Sequence, residues 1–168
     1  MMASVIIIGP PGSGKSTIGR QLAVALSREF RDTDSLIEES TGEKISQIFV
    51  DRGEPWFREV EMRIVEQELL VSKSVLSLGG GAPLSEKAQS LLRAQGAPII
   101  FLDISLATAA PRVGFNRDRP LLLSNPRAAW QELMDKRRPI YESLATHIVS
   151  VDGKKPQQIV DEILKVLP

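Results

Sequence analysis

Gly9-Pro10-Pro11-Gly12-Ser13-Gly14-Lys15-Ser16 has the spacing GxxxxGK[ST], a pattern able to hold phosphate. Glycines let backbone N–H groups turn inward around an anion with no Cβ in the way. A helix starting behind them points its positive end at the same anion. In this reading Gly12, Ser13 and Gly14 line the cradle and Thr17 joins the nucleotide-binding set. Lys15 reaches the β- and γ-phosphates, and the Ser16 hydroxyl takes one position on Mg²⁺. The pattern is strong for nucleotide binding and weak for the reaction, because GTPases, ATPases, motors and small-molecule kinases share it.

Asp32-Thr33-Asp34 could supply the next piece of chemistry. Two carboxylates one residue apart point to opposite sides of an extended chain. Asp32 is therefore expected in the metal's water shell, and Asp34 at an acceptor hydroxyl as hydrogen-bond acceptor or base. The plainer alternative is a helix N-cap, since Asp34 precedes a helical stretch. The neighbouring phosphate cradle favours the chemical role.

These groups need a frame. Short apolar or β-branched segments at 4–8, 32–33, 74–78, 98–103 and 147–151 read as strands. Longer amphipathic stretches lie between them at 15–28, 55–71, 85–94, 126–142 and 156–166, with Pro55 suited to a first helical turn. The alternation predicts a parallel sheet with helices on both faces, a three-layer α/β domain spanning residues 1–168. Residues 116–125, charged and then apolar, fit neither period and read as a mobile loop.

The 168 residues carry 21 basic and 21 acidic side chains, which argues against a general nucleic-acid binder. No cysteine is present, so disulfides, thiolate metal sites and thiol nucleophiles are excluded, in keeping with a reducing cytoplasm. The first residues lack a cationic region, and the apolar run Val5 to Ile8 is too short for a signal peptide or membrane span. The expectation is a cytoplasmic protein with no membrane partner.

The whole constellation resembles shikimate kinase over essentially the full chain. Beyond the phosphate loop and Asp32-Thr33-Asp34, the resemblance is carried by Gly53-Glu54, Phe57-Arg58, Glu61, Leu76-Ser77-Leu78-Gly79-Gly80-Gly81, Arg119-Pro120-Leu121-Leu122 and Arg137-Arg138-Pro139-Ile140-Tyr141. It implies ATP-dependent phosphorylation of the shikimate 3-hydroxyl, giving shikimate 3-phosphate and ADP on the route to chorismate and the aromatic amino acids. The implied fold is of the nucleoside-monophosphate-kinase type: a five-stranded parallel sheet, a substrate-binding region at about 34–62, and a closing lid at about 112–125. A monomer is also implied.

The resemblance further implies that Asp34, Arg58, Gly79, Gly80, Gly81 and Arg137 form the shikimate site, with Glu61 in support and Phe49, Phe57, Pro11 and Pro120 lining it. Lys15 and Arg119 would handle the transferred phosphate. Arg112 would pack near adenine, and Lys155, in the loop from Gly153 to Pro156, would lie at the second adenine contact. Pro111 just before Arg112 would kink the helix leading to the lid.

Elementary chemistry supports part of this. An anionic ring acid needs cations near its carboxylate, and the planar arginine fork binds a carboxylate at two points, which suits Arg58 and Arg137. Each has a bland alternative: Arg58 as a solvated helix residue paired with Glu61 or Glu54, Arg137 as part of a basic patch with Lys136 and Arg138. Gly79-Gly80-Gly81 after an apolar strand suggests close approach of backbone to ligand. Trp56 and Trp130 are expected to pack, and His147 to be structural. A gluconate or other small-molecule kinase would share the cradle and lid, but a neutral polyol would not demand two arginines. A GTPase lacks its guanine motif here, and a binding module without turnover would not need Lys15, Asp32, Asp34 and Arg119 together.

Overall fold

The computed structural model describes residues 4–71, 73–113 and 125–168. Arg119 and Pro120, expected in the lid, and Arg117 beside them lie outside the described residues. Five parallel strands form one sheet: β1 (Val5–Ile8), β2 (Glu29–Asp32), β3 (Ser74–Ser77), β4 (Ile99–Asp103) and β5 (His147–Ser150), in the order β2-β3-β1-β4-β5. β1 is the central strand and all four of its residues are buried, which is why it reads as an unbroken apolar run.

Helices α1 (Lys15–Leu26), α2 (Thr33–Thr41), α3 (Ile45–Asp51), α4 (Glu54–Glu68), α5 (Glu86–Ala94), α6 (Leu106–Val113), α7 (Pro126–Leu144) and α8 (Pro156–Val166) connect and cover the strands. α1 packs on α8, and α7 packs on α5 and β4. The three-layer α/β fold and the five-stranded parallel sheet are as expected. None of the described helices is long and apolar enough to cross a membrane.

The main core joins both faces of the sheet and includes Ile6, Ile7, Ile8, Leu22, Leu76, Phe101, Met134 and Tyr141. A second apolar cluster, Ile37, Ile45, Ile48, Phe57 and Val60, holds α2, α3 and α4 together, with Phe49 and Phe57 ring centroids 4.9 Å apart.

The chain departs from the sequence reading at β2. The strand occupies Glu29–Asp32, and Thr33 already begins α2, so Asp32 and Asp34 do not share an extended segment. The cap of α2 is Asp32 rather than Asp34: its carboxylate accepts from the Asp34 and Ser35 amides. Pro55 does lie in the first turn of α4, and Pro111 lies inside the short α6.

Candidate active site

Strand order reverses at β1, where the chain leaves first toward β2 and later toward β4, and ligands of open α/β sheets bind in the crevice at such a point. The loop after β1 and the loop after β3 open side by side there, because those strands are hydrogen-bonded neighbours and the Leu78 amide continues the ladder to Ile7 O at 3.0 Å.

In the loop after β1, Gly12 and Gly14 have φ of +84° and +91°, a handedness that disfavours residues with a Cβ. Gly14 is the N-cap of α1, so the loop ends at the positive end of that helix. Lys15 Nζ donates to the carbonyls of Gly9 at 2.8 Å and Pro10 at 3.1 Å, holding the ammonium over the loop. Ser16 Oγ donates to Asp32 Oδ2 at 2.7 Å, while Asp32 Oδ1 receives the α2 amides. A cleft of about 230 Å³ is lined by Gly12, Gly14, Lys15, Ser16, Thr17, Asp32, Asp34 and Arg112. Ser13 sits behind it, buried.

The hydroxyl of Ser16 and the carboxylate of Asp32 form a hard oxygen pair. No cluster of three metal-ligating side chains occurs among the described residues. That donor set fits Mg²⁺, which keeps several waters and takes further ligands from phosphates rather than from an all-protein cage.

In the loop after β3, each of three consecutive glycines makes room for one charged side chain. A Cβ on Gly79 would lie 2.5 Å from Asp34 Oδ1. On Gly80 it would lie 3.0 Å from Arg137 Nη1, and on Gly81 2.7 Å from the Arg58 Cζ. The run is fixed from behind by Thr33 Oγ1, which accepts from the Gly79 amide at 2.9 Å, and by the Tyr141 hydroxyl, which donates to Gly80 O at 2.6 Å.

Arg58 donates to Glu61 at 2.7 Å and, from its exposed side, to Glu54 at 3.3 Å, so both of its expected ion pairs form. Glu61 is buried, and burial pushes its carboxyl above the usual range. Arg58 opposes that shift and the Asp34 charge adds to it. The Arg58 guanidinium is held above its ordinary value: burial works against the charge, and Glu61 and Glu54 outweigh it.

The run Lys136-Arg137-Arg138 is divided by the helix. Lys136 pairs with Glu132 on the surface and Arg138 donates to Asp103 at 2.9 Å, whereas Arg137 is 8% exposed and its Nε has no hydrogen-bond partner among the described residues. A surface patch is thus the wrong description of Arg137.

The remaining expected residues lie around the cleft. Arg112 Nη1 reaches the Gly12 carbonyl at 3.3 Å, the back of the phosphate loop. Its charge is also felt by Asp152, whose carboxyl is lowered: burial raises it, and hydrogen bonds from Ser105 and Thr108 together with Arg112 outweigh that. The loop holding Asp152 and Gly153 therefore faces Arg112, and exposed Lys155 follows as the N-cap of α8.

Sequence reasoning missed Thr33 and the polar roles of Trp130 and Tyr141. Trp130 is buried, as expected of a packing residue, and its indole Nε1 also donates to Pro11 O at 3.0 Å. The available signal was spacing: Trp130, Met134, Arg137 and Tyr141 recur at helical period.

Comparison with known proteins bears on this geometry. The shikimate kinase family model matches residues 11–168. A shikimate kinase of Rhodococcus erythropolis is 46% identical over 168 residues, covering 99% of this chain and 98% of that protein. Among solved structures, a shikimate kinase from Acinetobacter baumannii in complex with shikimate superposes with a TM-score of 0.95 at 30% identity, covering 99% of this chain and 93% of the other. One from Aquifex aeolicus gives 0.85 at 32% identity, with 96% and 94% covered. With a phosphate cradle beside a charged, glycine-floored pocket and relatives matching it from end to end, the chain belongs to the shikimate kinase family.

Proposed function

We propose that this chain performs the ATP-dependent phosphorylation of shikimate with Lys15, Ser16 and Asp32 serving the nucleotide and Asp34, Arg58 and Arg137 serving the acceptor. The observation that carries the assignment is the convergence of those last three side chains on Gly79, Gly80 and Gly81, beside the phosphate loop. Two guanidiniums suit the carboxylate of shikimate, and the buried Arg137 Nε–H is a donor that such a ligand would satisfy. Glu61 holds Arg58 in place.

In the transfer, the 3-hydroxyl oxygen of shikimate forms a bond to the γ-phosphorus as the bond to the β,γ-bridging oxygen breaks, leaving ADP. The hydroxyl proton is directed to Asp34, which orients the oxygen more than it strips it. Lys15 exchanges its loop carbonyls for β- and γ-phosphate oxygens and offsets their charge. Mg²⁺, when bound by Ser16 and Asp32 with the phosphates, supplies further charge neutralisation. Arg119, outside the described residues, keeps the phosphate-handling role that the resemblance implies, and Arg112 and Lys155 keep the adenine side. The reading includes a cytoplasmic monomer acting on a small molecule, with no nucleic acid or membrane as partner and a product used toward chorismate.

A coupled assay of ADP release, with and without shikimate, tests the reaction. Asp34→Asn should lower kcat by about 10²- to 10⁴-fold. ATP affinity should stay within about twofold, as expected when a contact of the acceptor alone is lost. Full turnover by that variant would end the assignment, and ADP release with gluconate but not shikimate would move the acceptor to an open-chain sugar acid.

A further inference from the structure

The buried side chains of α7 are Trp130, Met134, Arg137, Tyr141 and Leu144, spaced i, i+4, i+7, i+11 and i+14 along one stripe. Three of them carry polar groups to the two loops of the site. Trp130 Nε1 donates to Pro11 O in the phosphate loop, Tyr141 Oη donates to Gly80 O in the acceptor loop, and Arg137 lies between them against Gly80. Trp130 and Tyr141 are eleven residues apart, about 16 Å along a helix axis. One continuous helix, with Pro139 inside it, is therefore fastened to the donor loop at one end and to the acceptor loop at the other.

What the helix fastens is specific. Ser13 N donates to Pro10 O at 3.3 Å and Gly12 has φ +84°, so Pro10-Pro11-Gly12-Ser13 is a type II turn. The peptide that flips between turn types I and II is the central one, Pro11–Gly12, and its carbonyl is the group that Trp130 grips. In a planar trans peptide the N–H points away from the carbonyl. Holding Pro11 O thus fixes the direction of the Gly12 N–H, one of the loop donors. The same reasoning applies to Tyr141: holding Gly80 O fixes the direction of the Gly81 N–H. The next carbonyl, Gly12 O, is held by Arg112, so the loop is gripped at two successive positions.

We propose that Trp130 and Tyr141 are positioning residues of the transfer, and that α7 is a spacer setting the separation and peptide orientation of the donor and acceptor loops. This rests on the assignment of ATP to the first loop and shikimate to the second. Steady-state kinetics with both substrates varied, alongside thermal unfolding, test it in four chains: wild type, Trp130→Phe, Tyr141→Phe and the double variant. A fifth chain with 3-benzothienylalanine in place of Trp130 removes the indole N–H at nearly constant ring volume, and decides the case if Trp130→Phe does not fold.

Loss of the indole donor should raise KM for ATP about three- to tenfold, the weight of one hydrogen bond, and leave KM for shikimate within about twofold. Tyr141→Phe should show the mirror image. The double variant should lose less in kcat than the product of the single losses, because one freed end already releases the spacing. Both KM values rising together, or kcat falling in step with the melting temperature while neither KM moves, would identify packing alone and overturn the proposal. Wild-type turnover with shikimate separates the two failures: its absence defeats the substrate assignment, and its presence with unsplit variants defeats the spacer.

Discussion

In the loop after β1, Gly14 has φ +91°, yet a Cβ there would meet only Arg112 Nη1 and Ile18 Cγ1 at an ordinary 3.8 Å. In the loop after β3, Gly79 has no positive φ, yet a Cβ there would meet Asp34 Oδ1 at 2.5 Å. At Gly14 the donor loop needs glycine for handedness alone, whereas at Gly9 and Gly12 a Cβ would also meet Leu102 O at 2.8 Å and Val113 Cγ2 at 2.9 Å. The acceptor loop needs glycine for room and has ordinary handedness. A binding loop for a phosphate, whose recognition is made by backbone N–H groups, must shape its own backbone. A loop approached by charged side chains from α2, α4 and α7 must instead get out of their way.

The largest effect that would break this comparison is expected at Gly79. Gly79→Ala displaces the Asp34 carboxylate, and a misplacement of about 1 Å at the reacting group costs about 10²-fold in kcat. KM for ATP should hold, and unchanged turnover with shikimate would show that the space is not needed. A smaller effect, with a sharper ordering, is expected at Gly14. Gly14→Ala should destabilise the chain by about 1–2 kcal/mol, the cost of left-handed backbone for a residue with a Cβ. Gly14→Asn should be milder because Asn tolerates that region, whereas Gly79→Asn should be worse than Gly79→Ala. Thermal melts and kcat across the four variants read the crossing, and the same ordering at both positions would erase the distinction.

The smallest effect concerns the charge that Arg58 brings. Burial raises the Glu61 pKa above its ordinary 4.5, so the folded state holds this proton more tightly than the unfolded chain does. Its stabilising contribution is complete below the ordinary value and is lost as pH rises through the folded value. The melting temperature of wild type minus that of Glu61→Gln should therefore decline from acid toward neutral pH. A difference that grows over that window would show that Arg58, rather than burial, dominates.

The donor half of the site was legible in the sequence because its parts are contiguous: a buried strand, a turn and a helix start within residues 5 to 18. The acceptor half was legible only as a family pattern, since its logic joins residues far apart. Nothing local tells that Gly79 serves Asp34, or that Arg137 is buried while Lys136 and Arg138 are not. β2 was placed too late because it is a charged edge strand, Glu29-Phe30-Arg31-Asp32, paired on one side only and without apolar alternation. Helix α3 was missed as an element and α2 was read only as a helical stretch of no stated length after Asp34, because they are seven and nine residues long, too short to declare themselves by propensity, and are held by tertiary packing.

That packing is a separate small core. Ile37, Ile45, Ile48, Phe57 and Val60 form a cluster of their own, distinct from the one that straddles the sheet. Regions with their own modest apolar cluster open at a lower free energy than the whole molecule, as contiguous cooperative units. The part of the chain that bears Phe57 and Arg58 can thus exchange its amide hydrogens while the strands and the phosphate loop stay closed, so an acceptor bound between α2, α4 and the glycine run would act as a clamp on local unfolding as well as a reactant.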